Sequence, residues 1–258
     1  MSQLDINTLA ARSGNVIHLS SHVSGSSVST GSFGRVEATN VDIDELNNRN
    51  LDDYKTVGKE TIWVPANAMT PTETDGCSAI TAVETMAYFP IFTSPDLYVL
   101  DFPDDANAHA QFSVAFPKSW NLGTITYQVF WTRGDWTLST DCVEWGLQGV
   151  AFGDNDGIGA GLNTGFPYTT LIQDNSQGMP STGQEWACLV SAESGDVTIA
   201  GSHNNPSTGL AHDQLCYFRV LRNPDGEHGG QSGADDMSGD ARLHGIKLFF
   251  TTDTANDD

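Results

Sequence analysis

The chain has 258 residues, 33 acidic against 11 basic, a formal net charge of −22 and a mean hydropathy of −0.28. A field of that sign repels phosphate backbones and anionic lipid surfaces, which speaks against nucleic-acid and membrane partners. No apolar run approaches the roughly 20 residues of a membrane helix, and a chain this long holds a sizeable core without disulfides or metal.

Residues 1–60 differ from the rest. The opening MSQLDINTLAARSGN lacks the charged-then-apolar pattern of a secretory signal, so assembly in a cytoplasm is expected. The following VIHLSSHVSGSSVSTGSFGRVEATNVDI is rich in Ser, Gly and Thr, with short β-like pieces at 16–19 and 34–39. It has too few apolar residues for a core of its own and needs a partner chain, a copy of itself or a larger assembly. Val28, Phe33 and Val36 are its candidate seam or attachment residues. The acidic run from Asp42 to Tyr54 fits one short helix capped by Asp42.

From Thr61 the pattern turns to β. Thr61–Val64 forms a short strand closed by Pro65, residues 66–95 read as a long loop, and Leu97–Phe102 is the next strand. In the run from His109, Phe112, Val114 and Phe116 alternate with polar or small residues. In the run to Thr132, Ile125, Tyr127, Val129 and Trp131 do the same. Period-two alternation marks strands with one buried face, and the polar link Lys118–Gly123 makes the two a candidate hairpin. Phe130, in the opposite frame to Trp131, implies that the outer face is covered as well. Strands follow at Val143–Phe152, Tyr168–Ile172, Trp186–Ser191, Val197–Ala200, Gln214–Leu221 and Leu243–Thr251. Gly146 and Gly149 mark bulges or close contacts. The stretches 154–184 and 223–239 read as Gly-rich loops. The expected fold is all-β: a jelly-roll-like antiparallel β-sandwich over 61–258, preceded by an extended N-terminal segment over 1–60.

Motifs for chemistry are sparse. Paired carboxylates for glycoside hydrolysis can be drawn from Asp101, Asp104, Asp105, Asp135, Asp141 and Glu144. Only Glu144 lies beside an aromatic inside a strand pattern, and a solvated strand-face acid is the competing reading. Asp154-Asn155-Asp156-Gly157 has calcium-loop composition but lacks the EF-hand spacing, so an Asx turn is the default. The seven histidines show no ligand spacing, and there is no nucleophile elbow or phosphate-binding loop. Cys77, Cys142, Cys188 and Cys216 form no CxxC pair; Cys188 and Cys216 read as inward-facing small hydrophobes. No catalytic residue, metal ligand or cofactor site is assigned. Trp63, Trp131, Trp145 and Trp186 read as core, whereas Trp120 and Trp136, in or beside loops, are the candidates for exposed ligand contact.

Long phrases carry a resemblance: IWVPANAMTPTETDGC at 62–77, LDFPDDANAHAQFSVAFPKSWNLGTITYQVFWT at 100–132, VEWGLQGVAFGDNDGI at 143–158, VTIAG at 197–201 and GDARLHGIKLFFTTDTAND at 239–257. Together they resemble a module of tailed-bacteriophage virion structural proteins, often found on tail fibres. VSGSSVSTGSFGRVEATNV at 23–41 is similar to a short element of phage fibre and appendage proteins. The resemblance implies a non-enzymatic virion protein with no catalytic residues to carry over. A single core-poor segment before one β head implies a homotrimeric knob: a capsid decoration (cement) protein or short head spike on the particle surface, seated on the major capsid protein or another virion protein. The alternative is a tail-fibre module that recognises host surface glycans.

Overall fold

The computed structural model describes residues 58–84, 96–134, 141–154, 156, 165–175, 187–201, 210–229 and 235–253. Val28, Phe33, Val36, Trp136 and Trp186 lie outside the described residues. The strands are β1 (Gly58–Pro65), β2 (Thr70–Pro71), β3 (Thr81–Glu84), β4 (Asp96–Phe102), β5 (Ala108–Val114), β6 (Thr126–Arg133), β7 (Cys142–Phe152), β8 (Thr170–Asn175), β9 (Leu189–Val190), β10 (Ile199–Ala200), β11 (Leu215–Arg222) and β12 (Ala241–Thr252). Residues 66–95, expected as loop, also hold a 3-10 turn at Ala66–Ala68 ahead of β2 and β3. Pro71 sits on the edge strand β2, where its missing N–H costs no ladder bond.

The strands make two six-stranded sheets. The first runs β3-β4-β12-β6-β9, with β1 also paired to β12; the second runs β10-β7-β11-β5-β2, with β8 also paired to β7. The antiparallel pairs are nested along the chain: β4 with β12, β5 with β11, β6 with β9, β7 with β8. One long hairpin folded over on itself gives this pairing, which is the jelly roll. The expected antiparallel sandwich is therefore present, with a two-residue parallel contact where β10 meets β7.

Alternation decides which side chains enter the space between the sheets. Phe112, Val114 and Phe116 are buried, and so are Ile125, Tyr127, Val129 and Trp131. The two runs are not a hairpin, however. Strand β5 belongs to the second sheet and β6 to the first, so their apolar faces look at each other across the core. The link between them is stapled to the end of β12. Trp120 N–H bonds Pro117 O at 3.0 Å, Asn121 N–H bonds Thr251 O at 2.9 Å, and Asp253 N–H bonds Ser119 O at 3.0 Å. The Trp120 ring, 2% exposed, stacks at a tilt on Phe116 with centroids 4.4 Å apart. Burying such a ring stabilises by roughly 1.5–3 kcal/mol, so the link crosses the sandwich instead of reversing in place.

Aromatic contacts join the layers. Trp145 of β7 meets Phe102 of β4 at 5.2 Å and Trp131 of β6 at 6.1 Å, both edge-on. Tyr127 of β6 reaches the carbonyl of Trp145 with its hydroxyl at 3.0 Å, which satisfies a polar atom inside the core. Gly146 and Gly149 are close-contact positions. A Cβ at Gly146 would lie 2.8 Å from Leu221 Cδ1, and one at Gly149 3.0 Å from Phe218.

Candidate binding face of the first sheet

The structure places two of the sequence candidates, Trp120 and Glu144, inside the fold. Trp120 is a core residue, so its own chain covers the ring that a loop position was expected to expose. Glu144 is 5% exposed and accepts a hydrogen bond from Asn223 Nδ2; burial holds its carboxyl above the usual range. The nearby Asp235 carboxylate binds Arg222 side-on, with Nε to Oδ2 and Nη2 to Oδ1 both at 2.8 Å. Arg222 is fully buried, and its remaining N–H groups reach the carbonyls of Phe102, Gly239 and Met237. All five guanidinium donors thus find acceptors, the condition under which a buried cation is tolerated. This network ties the 235–239 segment, read from sequence as free loop, across the ends of β4, β7 and β11.

Other acids serve the frame. Asp101 pairs with Arg242 at 3.2 Å, and Asp104 accepts the Gly239 N–H at 2.8 Å, which lowers its pKa. Gly153 N–H bonds Asp156 Oδ2 at 2.8 Å, a side chain reaching back to an amide three residues earlier; Asn155 and Gly157 of the Asx turn expected at 154–157 lie outside the described residues. Among the described residues no group of three or more His, Cys, Asp and Glu side chains is placed to hold a metal ion. The four cysteines are unpaired thiols. Cys216 is buried as expected, but Cys188 is exposed because Leu189, one residue on, takes the inward frame.

His109 and His228 form a linked pair. His109 Nδ1 lies 3.1 Å from the Asp75 carbonyl, and the two Nε2 atoms are 3.3 Å apart. A carbonyl only accepts, so His109 carries its proton on Nδ1 and His228 donates from Nε2. Burial pushes His109 down to about 4, with Arg219 adding to the shift, and burial also lowers His228.

The residue that sequence patterning misplaced is Trp63. It lies in a strand, as expected, but 45% of it is exposed, on the outer face of the first sheet. The register sets out that face in cross-strand rows: Lys59–Thr251, then Thr61–Phe249–Thr126, then Trp63–Lys247–Gln128, then Pro65–Gly245–Phe130–Val190. Gly245 makes room for the indole. A Cβ there would stand 2.7 Å from Trp63 Cη2 and Cζ2 and 2.6 Å from the Val64 carbonyl oxygen. Trp63 meets Phe130 edge-on at 5.2 Å, and Lys247 Nζ sits 5.0 Å from the Phe130 ring centre. Phe130 is therefore covered in part by neighbours in its own sheet. Along the same face Lys59 pairs with Glu193 and lies 5.6 Å from the Phe249 ring centre, while Gln128 Nε2 donates to Ser191 O at 2.8 Å. Val190, 42% exposed, ends the apolar row. The result is an indole platform set among lysines, hydroxyls and an amide.

The second sheet has a smaller feature on its outer side. Tyr217, Gln111, Ser113 and Thr70 line an open depression of about 270 Å³. Arg219 beside it stacks over Phe166 at 5.0 Å and donates to Gln148 Oε1 at 2.6 Å.

No family model and no curated protein matches the chain. Among solved structures it is similar to a family 11 carbohydrate-binding module from Clostridium thermocellum, determined in complex with a beta-1,3-1,4-mixed-linked tetrasaccharide. The identity is 9% over 78% of this chain and 91% of that chain, with a TM-score of 0.30. A likeness at that TM-score carries no argument about fold or ligand.

Proposed function

We propose that the chain is a non-enzymatic structural protein of a tailed-bacteriophage particle: a homotrimeric capsid decoration protein or short head spike, held on the particle surface by the major capsid protein or another virion protein. The observation that carries this reading is where the polar chemistry goes. Glu144, Asn223, Arg222 and Asp235 close on one another and pin the sandwich end, which is architecture and not a reacting centre. The acidic exterior keeps neighbouring particles apart, and residues 1–60 supply the attachment. The resemblance to virion modules supports the same reading, since its phrases fall on β1, β2, β4 to β7, β10 and β12.

Electron microscopy of intact particles with an antibody against the 61–258 head is the direct test. Labelling of the capsid exterior is the expected result, and a position inside the particle would sink the proposal. Light scattering on the full chain should give a trimer. A second reading, a tail-fibre module that recognises host surface glycans, is favoured by one observation, the exposed Trp63 platform.

A further inference from the structure

We propose that the outer face of the first sheet around Trp63, Lys247 and Gln128 binds an acidic saccharide, a sugar chain bearing carboxylates. The inference deepens the glycan-recognition reading and rests on it. Three observations carry it. The indole is built into the face: the side chain missing at Gly245 leaves its seat, and Phe130 braces it edge-on. A half-exposed, braced aromatic ring offers the apolar face on which a pyranose ring stacks, with amide and hydroxyl groups beside it for the sugar hydroxyls.

Charge selects the class of sugar. In a chain with 33 acids against 11 bases, most surface carries an excess of carboxylate. This face does not. Among the described residues, the rows of this face hold Lys59 and Lys247 against Glu193, and that carboxylate is paired with Lys59; the Arg242–Asp101 pair, with Asp240 near it, lies beyond the rows. Lys247 makes no ion pair with any described residue, and it stands in the same cross-strand row as Trp63 and Gln128. An ammonium with no ion-pair partner among the described residues, next to a stacking platform, attracts a ligand carboxylate, which the rest of the molecule repels.

Area selects a small ligand over a protein partner. The longest row spans three strand spacings of ~4.8 Å and the four rows cover three two-residue steps of ~6.8 Å, a face of at most about 14 by 20 Å. That is roughly 280 Å², a third of the ~800 Å² that each partner buries in a standard protein interface. It matches three or four sugar units.

The test is calorimetric titration of the full-length protein, at low salt, with three acidic probes: tetragalacturonate, a hyaluronan hexasaccharide and a sialic-acid tetramer. Methyl-esterified tetragalacturonate and a tetraglutamate peptide serve as controls. Binding of at least one acidic saccharide is expected. It should weaken about tenfold in Lys247→Gln and by a similar factor in Trp63→Ala, the size of one charge-assisted or stacking contact. Lys247→Gln should keep the parent melting temperature; Trp63→Ala, which also removes the edge-on contact with Phe130, should lower it while the melt stays cooperative. No binding of any saccharide overturns the inference and the glycan reading together. Equal binding of the ester and the acid overturns the acidic class and leaves glycan recognition standing. Tetraglutamate binding as tightly as the sugars would show simple attraction of anions and overturn the sugar-specific site.

Discussion

At the scale of single residues, two positions carry more than their type suggests. Gly245 lies where any Cβ would meet a backbone oxygen that cannot swing away. Gly245→Ala should therefore destabilise by about 1–3 kcal/mol, the usual cost of overpacking, with Trp63 pushed off its seat. Urea unfolding reads the first effect, and loss of the Trp63–Phe130 contact in the indole NMR spectrum reads the second. An alanine variant as stable as the parent would show that the glycine is not needed there. Arg222 makes the opposite case, an interior cation. Arg222→Met leaves Asp235 buried without its partner and should cost about 3–5 kcal/mol. Adding Asp235→Leu removes the stranded charge, so the double variant should recover much of that loss. If the double variant is no more stable than the single, the pairing is not what the arginine supplies.

At the scale of elements, the strands were legible and their partners were not. Phe112 to Phe116 and Ile125 to Trp131 alternate so regularly that the buried face is evident from sequence alone. Alternation says which face is covered, not which strand lies alongside, so two strands facing each other across a sandwich read like a hairpin. The distinguishing residue was Trp120. A large aromatic in a short polar link is more often a core plug than a turn ornament, because burial of its ring outweighs the cost of ordering the link. Strands β2 and β3 were not legible, since they are short pieces in a stretch punctuated by Pro71, Gly76, Pro90 and Pro95, where turn residues outweigh any period. The exposed Trp63 was misjudged for a related reason: in β1, Ile62 and Val64 mark the inward frame and Trp63 falls in the other. Arg222 escaped notice because a charged residue at the end of an apolar strand suggests that the core has ended. A linker exchange tests the corrected topology. Replacing Lys118–Gly123 with Asn-Gly, a favoured two-residue hairpin turn, should lower the melting temperature sharply, because it removes the buried Trp120 ring and the backbone bonds of Ser119 and Asn121 to the end of β12. A variant as stable as the parent would mean that the link is a plain turn and not a core plug.

At the scale of the whole molecule, acidity acts on the fold through groups that burial has moved in different directions. His109, His228 and His244 are all lowered, chiefly by burial. Each stays neutral in the folded state at a pH where the unfolded chain takes up a proton. Stability from these groups is complete above the ordinary histidine value of about 6.5 and is lost as pH falls toward about 4, the folded value for His109. Glu144, Asp101 and Asp174 are raised, again chiefly by burial. They act with the opposite sign: the folded state binds their protons first, so acidification through their window favours it. Lowering pH also discharges the exterior and relieves self-repulsion. A melting curve of the parent alone mixes these contributions, and a difference measurement separates them. His109→Asn keeps an N–H to offer the Asp75 carbonyl but cannot titrate. The melting temperature of the parent minus that of this variant should be flat above pH 7 and should fall steadily between pH 6.5 and about 4, as only the parent carries a buried imidazole at position 109. A difference that stays constant across that interval would mean that the His109–His228 pair accepts a proton without disturbing the fold, and that the geometry at Asp75 does not fix the neutral tautomer.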